Sequence, residues 1–428
     1  MRFREIAGSV KASVLEARER VLLKYRVTKA ACAYPAALAR LREKFSSGRK
    51  LKVLFIVTET AKWKTQGIFD LMRSSEEFEP CIGVSRPDRH FCISKTERIA
   101  DFMDCVAFFE RRSMPVLKLY DPSTGKATKL VDVDADIIFY QQSWFDVEGQ
   151  LPSDVCKRAI SCYVPYFVPN YGVLRLDSQL PLHRLVYLHF VLNDAWVSLY
   201  REGSKGMRYA GRFVGSGHPM LDDIAFDENA GSGNNCVIYA PHCTINPKHT
   251  TGGLNYATFL WNGKEILEYA RRHREMNWVF KPHPNLSRVL RLFEVMDEEE
   301  IKAYYDEWAR IGEVVEGGDY TGLFARSSAM VTDCGSFLTE YAATGKPILH
   351  LVSSENPNEP MPPSAKLYST YYEARNLAEM RDVFALVLER REDPRKKERH
   401  AAVIEANLTG GGAASRIVER LKREVLAK

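Results

Sequence analysis

Two histidines stand directly behind short apolar runs in the second half of this 428-residue chain. His242 follows CVIYAP (236–241), and His283 follows NWVFKP (277–282) and lies between two prolines that restrict the backbone around it. Short apolar runs are typical of buried parallel strands, so both imidazoles are predicted to lie at strand ends. There an imidazole either donates to a local carbonyl as a structural histidine, or donates to a phosphate oxygen and, when protonated, stabilises its charge.

A third apolar run, at 329–333, ends in Asp333 and leads into the helix-like segment LTEYAATG. Gly335 permits close backbone approach, and Ser336 stands where a helix N-terminus is predicted, which is a favourable place for an anion. Glu340 lies about one turn deeper on the same face, from where its carboxylate could accept hydrogen bonds from ribose hydroxyls. The alternative is an ordinary helix cap by Asp333 or Ser336, with Glu340 in the capped turn.

The elements that must position these residues alternate between apolar, strand-like runs and polar, helix-compatible segments. Such alternation predicts parallel βαβ units, and the ligands of doubly wound sheets bind beyond the carboxyl ends of the strands. The first predicted series of strands is at 51–57, 80–85, 104–108, 136–140 and 162–168. The second is at 236–241, 277–282, 313–316, 329–333 and 347–352.

The length of the chain suits two domains of roughly 150–200 residues, and an apolar content of 45% suffices for a full core in each. We predict an α/β fold with two doubly wound, Rossmann-like parallel-sheet domains facing a cleft. The predicted divisions are a helical extension at 1–48, an acceptor-side domain at 49–215 and a donor-binding domain at 216–428. The C-terminal helix at 414–426 either closes the second domain or crosses back to the first.

The second predicted domain carries YAPH (239–242), FLWNGKEILEYA (259–270), FKPHP (280–284), DYTGLF (319–324), VTDCGSFLTEY (331–341) and GKPILHL (345–351). In this order the motifs resemble the CDP-glycerol glycerophosphotransferase family of wall teichoic acid and capsule synthesis. The likeness covers about residues 235–352, and TETAKWKTQGIFDLM (58–72) looks like a loop of short, capsule-associated members.

The resemblance implies a GT-B fold and a CDP-activated polyol phosphate as the donor substrate. It places donor contacts at His242, His283, Asp333, Ser336 and Glu340. Three further residues within or beside the motifs are predicted to complete the donor site: Thr244, Lys281 and Gly335.

The predicted reaction is phosphodiester formation, in which a hydroxyl of a cell-surface glycan or lipid-linked acceptor attacks the β-phosphorus and CMP leaves. Positioning and charge neutralisation dominate such a reaction, and we assign them to His283, His242 and the helix start near Ser336. Glu59, just after the first strand, is the first candidate base, and Asp146 is the second. No DxD-like or other carboxylate cluster suggests a tightly bound metal, so we predict no metal ion and no tightly bound cofactor.

The acceptor side departs from the family pattern. Longer teichoic acid polymerases of the family carry a WHGT-type motif whose histidine is a candidate base, and this chain has none. His183 and His189 lie in the corresponding region, but their flanking residues do not match. The base and the acceptor site therefore stay open at this point.

Two other functions fit parts of the sequence. A GT-B glycosyltransferase that uses a nucleotide sugar for capsule or lipopolysaccharide synthesis would share the fold and the ribose-binding glutamate. A nucleic-acid-binding protein would use the basic N-terminus, because residues 1–52 hold 14 Lys and Arg against four Glu. RNP, zinc-knuckle and helix-turn-helix signatures are absent and the rest of the chain is net acidic, so we predict no nucleic-acid partner.

The N-terminal 33 residues predict a helix with an apolar stripe formed by Phe3, Ile6, Val10, Val14, Ala17, Val21 and Tyr25. Cationic residues flank the stripe, among them Arg4, Lys11, Arg18 and Lys24, and Pro35 is predicted to interrupt the helix. Such a helix either lies in an anionic membrane surface or packs on the first domain with its charges in water. No signal peptide is visible, so we predict a cytoplasmic protein that lies peripherally on the inner face of the membrane.

Overall fold

The first lobe is built on seven parallel strands in the order β3-β2-β1-β6-β7-β8-β9. The computed structural model describes residues 2–87, 94–168, 170, 180–226, 235–245, 256–318, 320–353 and 359–426, with side chains from residue 17 to residue 425. The strands of this sheet are β1 (Leu51–Val57), β2 (Phe78–Val84), β3 (Val116–Lys118), β6 (Ile137–Tyr140), β7 (Ile160–Tyr163), β8 (Leu188–Val191) and β9 (Arg212–Gly215). A separate antiparallel pair is formed by β4 (Tyr120–Asp121) and β5 (Lys126–Ala127).

The second lobe is built on six parallel strands in the order β12-β11-β10-β13-β14-β15. Its strands are β10 (Cys236–Ala240), β11 (Asn277–Phe280), β12 (Glu313–Val314), β13 (Ala329–Thr332), β14 (Ile348–Leu351) and β15 (Tyr372–Ala374). Counted within the sheet, this order is 3-2-1-4-5-6, the order of Rossmann folds, whose ligands bind where the direction of winding reverses. That point lies between β10 and β13, and the corresponding point of the first sheet lies between β1 and β6.

Helices connect the strands and cover the sheets. In the first lobe they are α1 (Arg2–Ser46), α2 (Gln66–Arg73), α3 (Lys95–Glu110), α4 (Pro152–Val155), α5 (Pro181–Leu185) and α6 (Asp194–Gly203). The later helices are α7 (Phe259–Arg272), α8 (Leu286–Leu292), α9 (Glu298–Ile311), α10 (Thr321–Arg326), α11 (Gly335–Ala342), α12 (Ala365–Tyr368), α13 (Leu377–Phe384), α14 (Lys396–Glu405) and α15 (Ala413–Leu426). Within the described part of the chain, no helix combines the length and apolar character needed to cross a membrane.

Helix α1 continues through Pro35, so the predicted interruption there is wrong. From Val27 onward one face of the helix is buried in the first lobe, and the Tyr34 hydroxyl donates to the carbonyl of Leu185 at 2.6 Å. This packing outweighs the hydrogen bond that a proline removes from a helix. The side chains of the predicted stripe before Ala17 lie outside the described residues.

Helix α15 crosses back from the second lobe to the first, which settles the alternative that the sequence left open. Its apolar face, with Ile417 and Leu421 fully buried, belongs to the same core as β1. Asp222 holds the start of the helix by accepting the backbone N–H groups of Ala413 and Ala414, both at 2.8 Å. The segment predicted as the end of the second domain therefore stabilises the first lobe.

The strand predicted at 104–108 is wrong, because this run lies inside helix α3. The helix begins with a capping box in which Ser94 and Glu97 each accept the other's backbone N–H. Phe102, Cys105 and Phe109 recur at helical spacing and are buried, so the apolar run is one face of the helix. The edge strand of the sheet is the short, partly exposed β3.

Ion pairs join the two lobes beside the cleft. Arg288 of α8 contacts Asp101 of α3 with both terminal nitrogens, at 2.6 and 2.8 Å, in the bidentate geometry that favours this pair. Arg291 of α8 contacts Glu97 of α3 at 2.9 Å. Helices α3 and α8 are thus joined by ion pairs from one lobe to the other.

Candidate functional site

A cavity of about 690 Å³ lies between the lobes, at the carboxyl ends of both sheets. The first lobe contributes the loops after β1, β6 and β7, and the second lobe contributes the loops after β10, β11, β12 and β13. Seven of the predicted site residues line this cavity: Glu59, His242, Thr244, Lys281, His283, Ser336 and Glu340. Asp333, Gly335 and Asp146 do not.

The two strand-end histidines lie next to each other in the wall of the cavity. Their ring centroids lie 4.6 Å apart, and the His283 backbone N–H donates to the carbonyl of Pro241 at 3.0 Å, which ties the two loops together. In each histidine Nδ1 accepts the backbone N–H two residues further on, from Thr244 at 3.2 Å and from Asn285 at 3.1 Å. An Nδ1 that accepts a hydrogen bond carries no proton, so the neutral ring is protonated at Nε2.

This tautomer decides what the pair of imidazoles can do. Burial lowers the pKa of His242 to about 3, and burial together with the neighbouring His242, Lys62 and Lys281 lowers the pKa of His283 well below its ordinary range. Protonating either Nδ1 would also turn a donor towards a backbone N–H that now donates to it. Both rings are therefore neutral N–H donors rather than imidazolium groups or bases.

His242, Cys243 and His283 also form a group of the type that holds a metal ion, with one potential ligand atom of each within 4.8 Å of the others. A histidine that binds a metal through Nε2 normally donates a hydrogen bond from Nδ1. Here each Nδ1 accepts one instead. The hydrogen-bond pattern thus favours an anion over a metal ion at these two rings, and the absence of a metal stays a prediction.

Asp333 lies behind the cavity wall and binds two of the segments that form it. Its Oδ1 accepts the backbone N–H of His242 at 2.6 Å, and its Oδ2 accepts both the backbone N–H and the hydroxyl of Thr258, at 2.6 and 2.7 Å. Its side chain is buried, and burial raises its pKa to about 6. The predicted donor contact is therefore a positioning residue that joins the His242 loop to the start of α7.

We expect Asp333→Asn to destabilise the protein by about 2 kcal/mol, because the amide turns a donor towards an N–H group that the carboxylate accepts, and this loss exceeds the gain from removing a buried charge. Urea unfolding at pH 7.5 measures this loss. Asp146→Asn is the matched control, since Asp146 is 90% exposed and lies 4.0 Å from Arg86. Equal stability of Asp333→Asn and the parent would contradict the positioning role.

Helix α11 begins at Gly335, as predicted, and points its first turn at the cavity through Ser336. Cys334 is the cap residue and no side chain caps the helix, so neither Asp333 nor Ser336 serves as an ordinary cap. The Ser336 hydroxyl lies 3.4 Å from the Cys334 sulfur. An uncapped N-terminus leaves backbone N–H groups for an anion. Gly335 itself is buried and its carbonyl accepts from Asn170.

Glu340 is a fully buried carboxylate at the cavity wall. Its Oε2 accepts the Tyr320 hydroxyl at 2.5 Å, whereas its Oε1 has no hydrogen-bond partner among the described residues. Burial raises its pKa to about 7. A buried carboxylate oxygen without a donor is costly, so this atom indicates a ligand hydroxyl or a water that is not part of the chain.

Three lysines give the cavity its charge, and the sequence motifs point to Lys281 alone. Lys281 is 3% exposed and donates to the carbonyl of Gly317 at 3.3 Å, and burial with the nearby Lys64 lowers its pKa to about 8. Lys62 and Lys64 come from the loop after β1 in the first lobe. Their spacing in KWK, directly behind a predicted strand, is the sequence signal that could have found them.

The two candidate bases differ in position. Glu59 lines the cavity and forms an ion pair with Lys62 at 2.7 Å, so it can reach a substrate there. Asp146 points into solvent beside Arg86 and is not part of the cavity wall. Of the two carboxylates, Glu59 alone lies where an acceptor hydroxyl could enter.

His183 and His189 lie inside the first lobe, away from the cavity. Each is 2% exposed, and within the described chain three of their ring nitrogens have no hydrogen-bond partner. Burial lowers the pKa of His183 to about 3, and burial together with His183 lowers the pKa of His189. They are core residues of the first lobe rather than a counterpart of the WHGT-type histidine.

We expect the free energy of unfolding to fall as the pH drops below about 6.5, because the unfolded chain then binds protons that the buried imidazoles exclude. Each such histidine costs up to about 1.4 kcal/mol per pH unit until its own pKa is reached. His183→Leu removes one of them and should flatten this decline in urea unfolding at pH 7, 6 and 5. An unchanged slope would contradict this, and His273→Leu, at a partly exposed histidine, is the control.

Comparison with solved structures places this architecture among known folds. The Staphylococcus aureus protein MnaA, solved with UDP, is 14% identical and superimposes with a TM-score of 0.50 over 87% of this chain and 96% of its own. A Listeria monocytogenes protein named as a UDP-N-acetylglucosamine 2-epimerase is 13% identical, with a TM-score of 0.50 and the same coverage of both chains. The fold is GT-B-like. No known family model matches this chain, and no curated protein matches it.

The predicted fold class is therefore confirmed: two parallel-sheet α/β domains of seven and six strands, with the arrangement of GT-B proteins. The resemblance to the CDP-glycerol glycerophosphotransferase family finds support in the fold alone. Likeness at this level of identity does not identify a substrate.

Proposed function

We propose that this protein is a transferase that moves a polyol phosphate, such as glycerol phosphate, from a CDP-activated donor to a hydroxyl of a cell-surface glycan or lipid-linked acceptor, with release of CMP. One observation carries the proposal. Two neutral imidazole donors, His242 and His283, lie in the same cavity wall as Ser336 at the start of α11 and the Glu340 oxygen that has no partner among the described residues. This combination suits a diphosphate joined to a ribose.

In the proposed reaction the acceptor oxygen forms a bond to the β-phosphorus while the bond from that phosphorus to the bridging oxygen breaks. CMP leaves with the bridging oxygen, and its phosphate gains negative charge. N–H donors fixed at the places where charge develops are the strongest single means of lowering such a barrier. His242, His283 and the first turn of α11 are the donors for this purpose, and Asp333 holds the first of them in place.

The proton of the acceptor hydroxyl goes to Glu59 in this proposal. Glu59 belongs to the lobe opposite the donor residues and lines the same cavity. Its ion pair with Lys62 at 2.7 Å fixes the carboxylate and leaves it an acceptor. A general base must lie within hydrogen-bond reach of the attacking hydroxyl, and an acceptor bound between the lobes meets this condition.

A glycosyltransferase that uses a nucleotide sugar is the second candidate. The observation in its favour is that structural relatives of this chain are named with UDP or UDP-N-acetylglucosamine. The same diphosphate and ribose contacts would serve that donor, and the reaction would then occur at an anomeric carbon. The two candidates differ in which nucleotide the protein binds and in the product it releases.

A panel of CDP-glycerol, CDP-ribitol, UDP-sugars, CMP-sugars and the free nucleotides tests the proposal by thermal stabilisation. A ligand that binds the native state alone at 100 times its Kd stabilises the protein by about 2.7 kcal/mol. We expect cytidine diphosphate compounds to raise Tm more than their uridine counterparts. Stabilisation by UDP-sugars without any by CDP-polyols would favour the second candidate.

We propose that this enzyme acts on the cytoplasmic face of a membrane, at an anionic surface beside its acceptor. Val21 and Tyr25, which belong to the predicted apolar stripe, are 68% and 65% exposed, and Arg18 and Lys24 are exposed beside them. Each cation near such a surface contributes about 1 kcal/mol, so several together suffice for reversible binding. The support for this proposal is that α1 has no buried described side chain before Val27.

We expect the protein to sediment with vesicles that contain anionic lipid and not with neutral vesicles, and raised salt should weaken the binding. Deleting residues 1–24 should abolish it while leaving the fold intact, because Val27 is the first buried residue among the described side chains of α1. The deleted protein should still turn over a soluble acceptor. Failure of the full-length protein to bind anionic vesicles at low salt would contradict the proposal.

A further inference from the structure

A lysine of the first lobe reaches into the donor side of the cavity. The Lys64 ammonium donates to the Tyr320 hydroxyl at 3.0 Å and lies 4.4 Å from the centre of that ring. Tyr320 in turn donates to Glu340 at 2.5 Å. Lys64 follows β1 of the first lobe, whereas Tyr320 and Glu340 belong to the second, so this chain of contacts crosses the cleft.

The backbone around Lys64 is fixed. Its N–H donates to the side-chain oxygen of Gln141 at 3.0 Å, and Gln141 follows β6, the strand beside β1 at the reversal point of the first sheet. This hydrogen bond ties the loop that carries Lys64 to the end of the neighbouring strand.

A second ammonium faces the same ring. Lys281 lies 5.3 Å from the centre of the Tyr320 ring and 6.0 Å from that of Phe337, next to Ser336 at the start of α11. Two like charges that share one aromatic ring repel each other, and an anion between them relieves the repulsion. Ser336 at the start of α11 and the two histidines, His242 and His283, line the same cavity.

We propose that Lys64 is the residue through which the first lobe binds the donor, its ammonium leaving Tyr320 to contact the phosphates between itself and Lys281. The inference rests on the proposed function in so far as the ligand is a nucleoside diphosphate compound. It makes donor affinity depend on lobe closure, because Lys64 reaches the site only while the lobes are together. The ion pairs between Arg288 and Asp101 and between Arg291 and Glu97 hold them so.

The test compares ligands that differ only in phosphate number: cytidine, CMP and CDP, titrated calorimetrically into the full chain. Lys64→Met should weaken CDP about tenfold or more, the value of a charge-assisted contact, and leave cytidine within about twofold of the parent. Lys64→Arg should recover most of the loss, because it keeps the charge. Lys157→Met, on the outer surface of the first lobe beside α1, should change nothing.

A structural role is separable from a phosphate contact. If Lys64 served only to orient Tyr320 and Glu340, Lys64→Met would weaken cytidine and CDP by the same factor, which overturns the inference. Unchanged CDP affinity overturns it as well. Uridine, UMP and UDP are titrated in parallel. A higher affinity for the uridine compounds would contradict the proposed CDP-activated donor, and the effect of Lys64→Met on UDP would still test the role of Lys64. A parent protein that binds no nucleotide in either series overturns both proposals together.

Discussion

Replacing His283 with alanine should lower turnover about a hundredfold, the cost of removing one preorganised donor from a site where charge develops. Its Nδ1 is held by the backbone N–H of Asn285, so its Nε2–H is fixed in direction before any ligand arrives. Alanine removes this donor and leaves the backbone contact between His283 and Pro241 in place. The measurement is steady-state turnover of the donor, with circular dichroism to show an intact fold.

Two controls identify the role of this imidazole. His283→Gln retains an N–H donor at a similar reach, so it should recover part of the lost rate, and His273→Ala, outside the cavity, should have no effect. The low pKa of His283 means that its charge does not change between pH 6 and 8. Full activity of His283→Ala would contradict the neutral-donor role. A turnover of the parent that increases as the pH falls through 6.5, where an ordinary imidazole becomes protonated, would contradict it as well.

Replacing Glu340 with glutamine should weaken CMP binding about tenfold, because a carboxylate accepts hydrogen bonds roughly twice as strongly as a neutral amide. The unpartnered Oε1 is the atom that would accept the ribose hydroxyls. The pKa of Glu340 is about 7, so the parent should bind CMP more weakly at pH 6, where the carboxyl is largely protonated, than at pH 8. Titration calorimetry at both values measures this. Glu340→Gln should show a smaller difference, because only the CMP phosphate, with a second pKa of about 6, then titrates in this range.

The same substitution should make the ligand-free protein more stable. A carboxyl whose pKa is raised in the folded state destabilises the protein at high pH. The cost grows as the pH rises from the ordinary pKa of 4.5 to the folded pKa and is complete above it. Glutamine removes this cost. If the variant binds CMP more weakly and also has a higher Tm at pH 8, the weaker binding comes from a lost contact and not from unfolding. A 2′-deoxy nucleotide should bind parent and variant about equally. Undiminished CMP affinity in Glu340→Gln would exclude a ribose contact.

The second lobe could be predicted from sequence nearly strand by strand. Its central strands are short apolar runs bounded by polar residues, and burial on both faces leaves little else that such runs can form. The run at 104–108 gives a wrong prediction because five apolar-rich residues look alike in a buried strand and on a helix face. Capping by Ser94 and Glu97, ten residues upstream, decides between the two.

Pro35 shows a second limit of local reasoning. A proline predicts a helix break from the chemistry of its own ring. The contacts that keep α1 continuous come from residues far away in the chain, such as Leu185 against Tyr34. The return of α15 to the first lobe has the same origin, since its partners lie about two hundred residues or more upstream.

The candidate site could likewise be predicted only in part from the sequence. Positions at strand ends follow from the parallel sheet, so the amino-acid sequence suffices to select His242, His283 and Ser336. It does not fix their protonation states, because the tautomers depend on which backbone N–H faces Nδ1. The supporting role of Asp333 depends on Thr258, and that of Lys64 on a residue of the opposite lobe. Contacts of this kind leave no periodic trace in a sequence.

The identity of the nucleotide released during turnover tests the central claim most directly. Transfer of a polyol phosphate breaks the diphosphate and releases a nucleoside monophosphate, whereas glycosyl transfer leaves the diphosphate whole. The protein is incubated with CDP-glycerol, with UDP-sugars and with a glycan or lipid-linked acceptor, and the nucleotides are separated by anion-exchange chromatography. We expect CMP from CDP-glycerol, in a yield that depends on the acceptor and is lost in His283→Ala. Release of a nucleoside diphosphate from a nucleotide sugar, with CDP-glycerol left intact, would contradict the account.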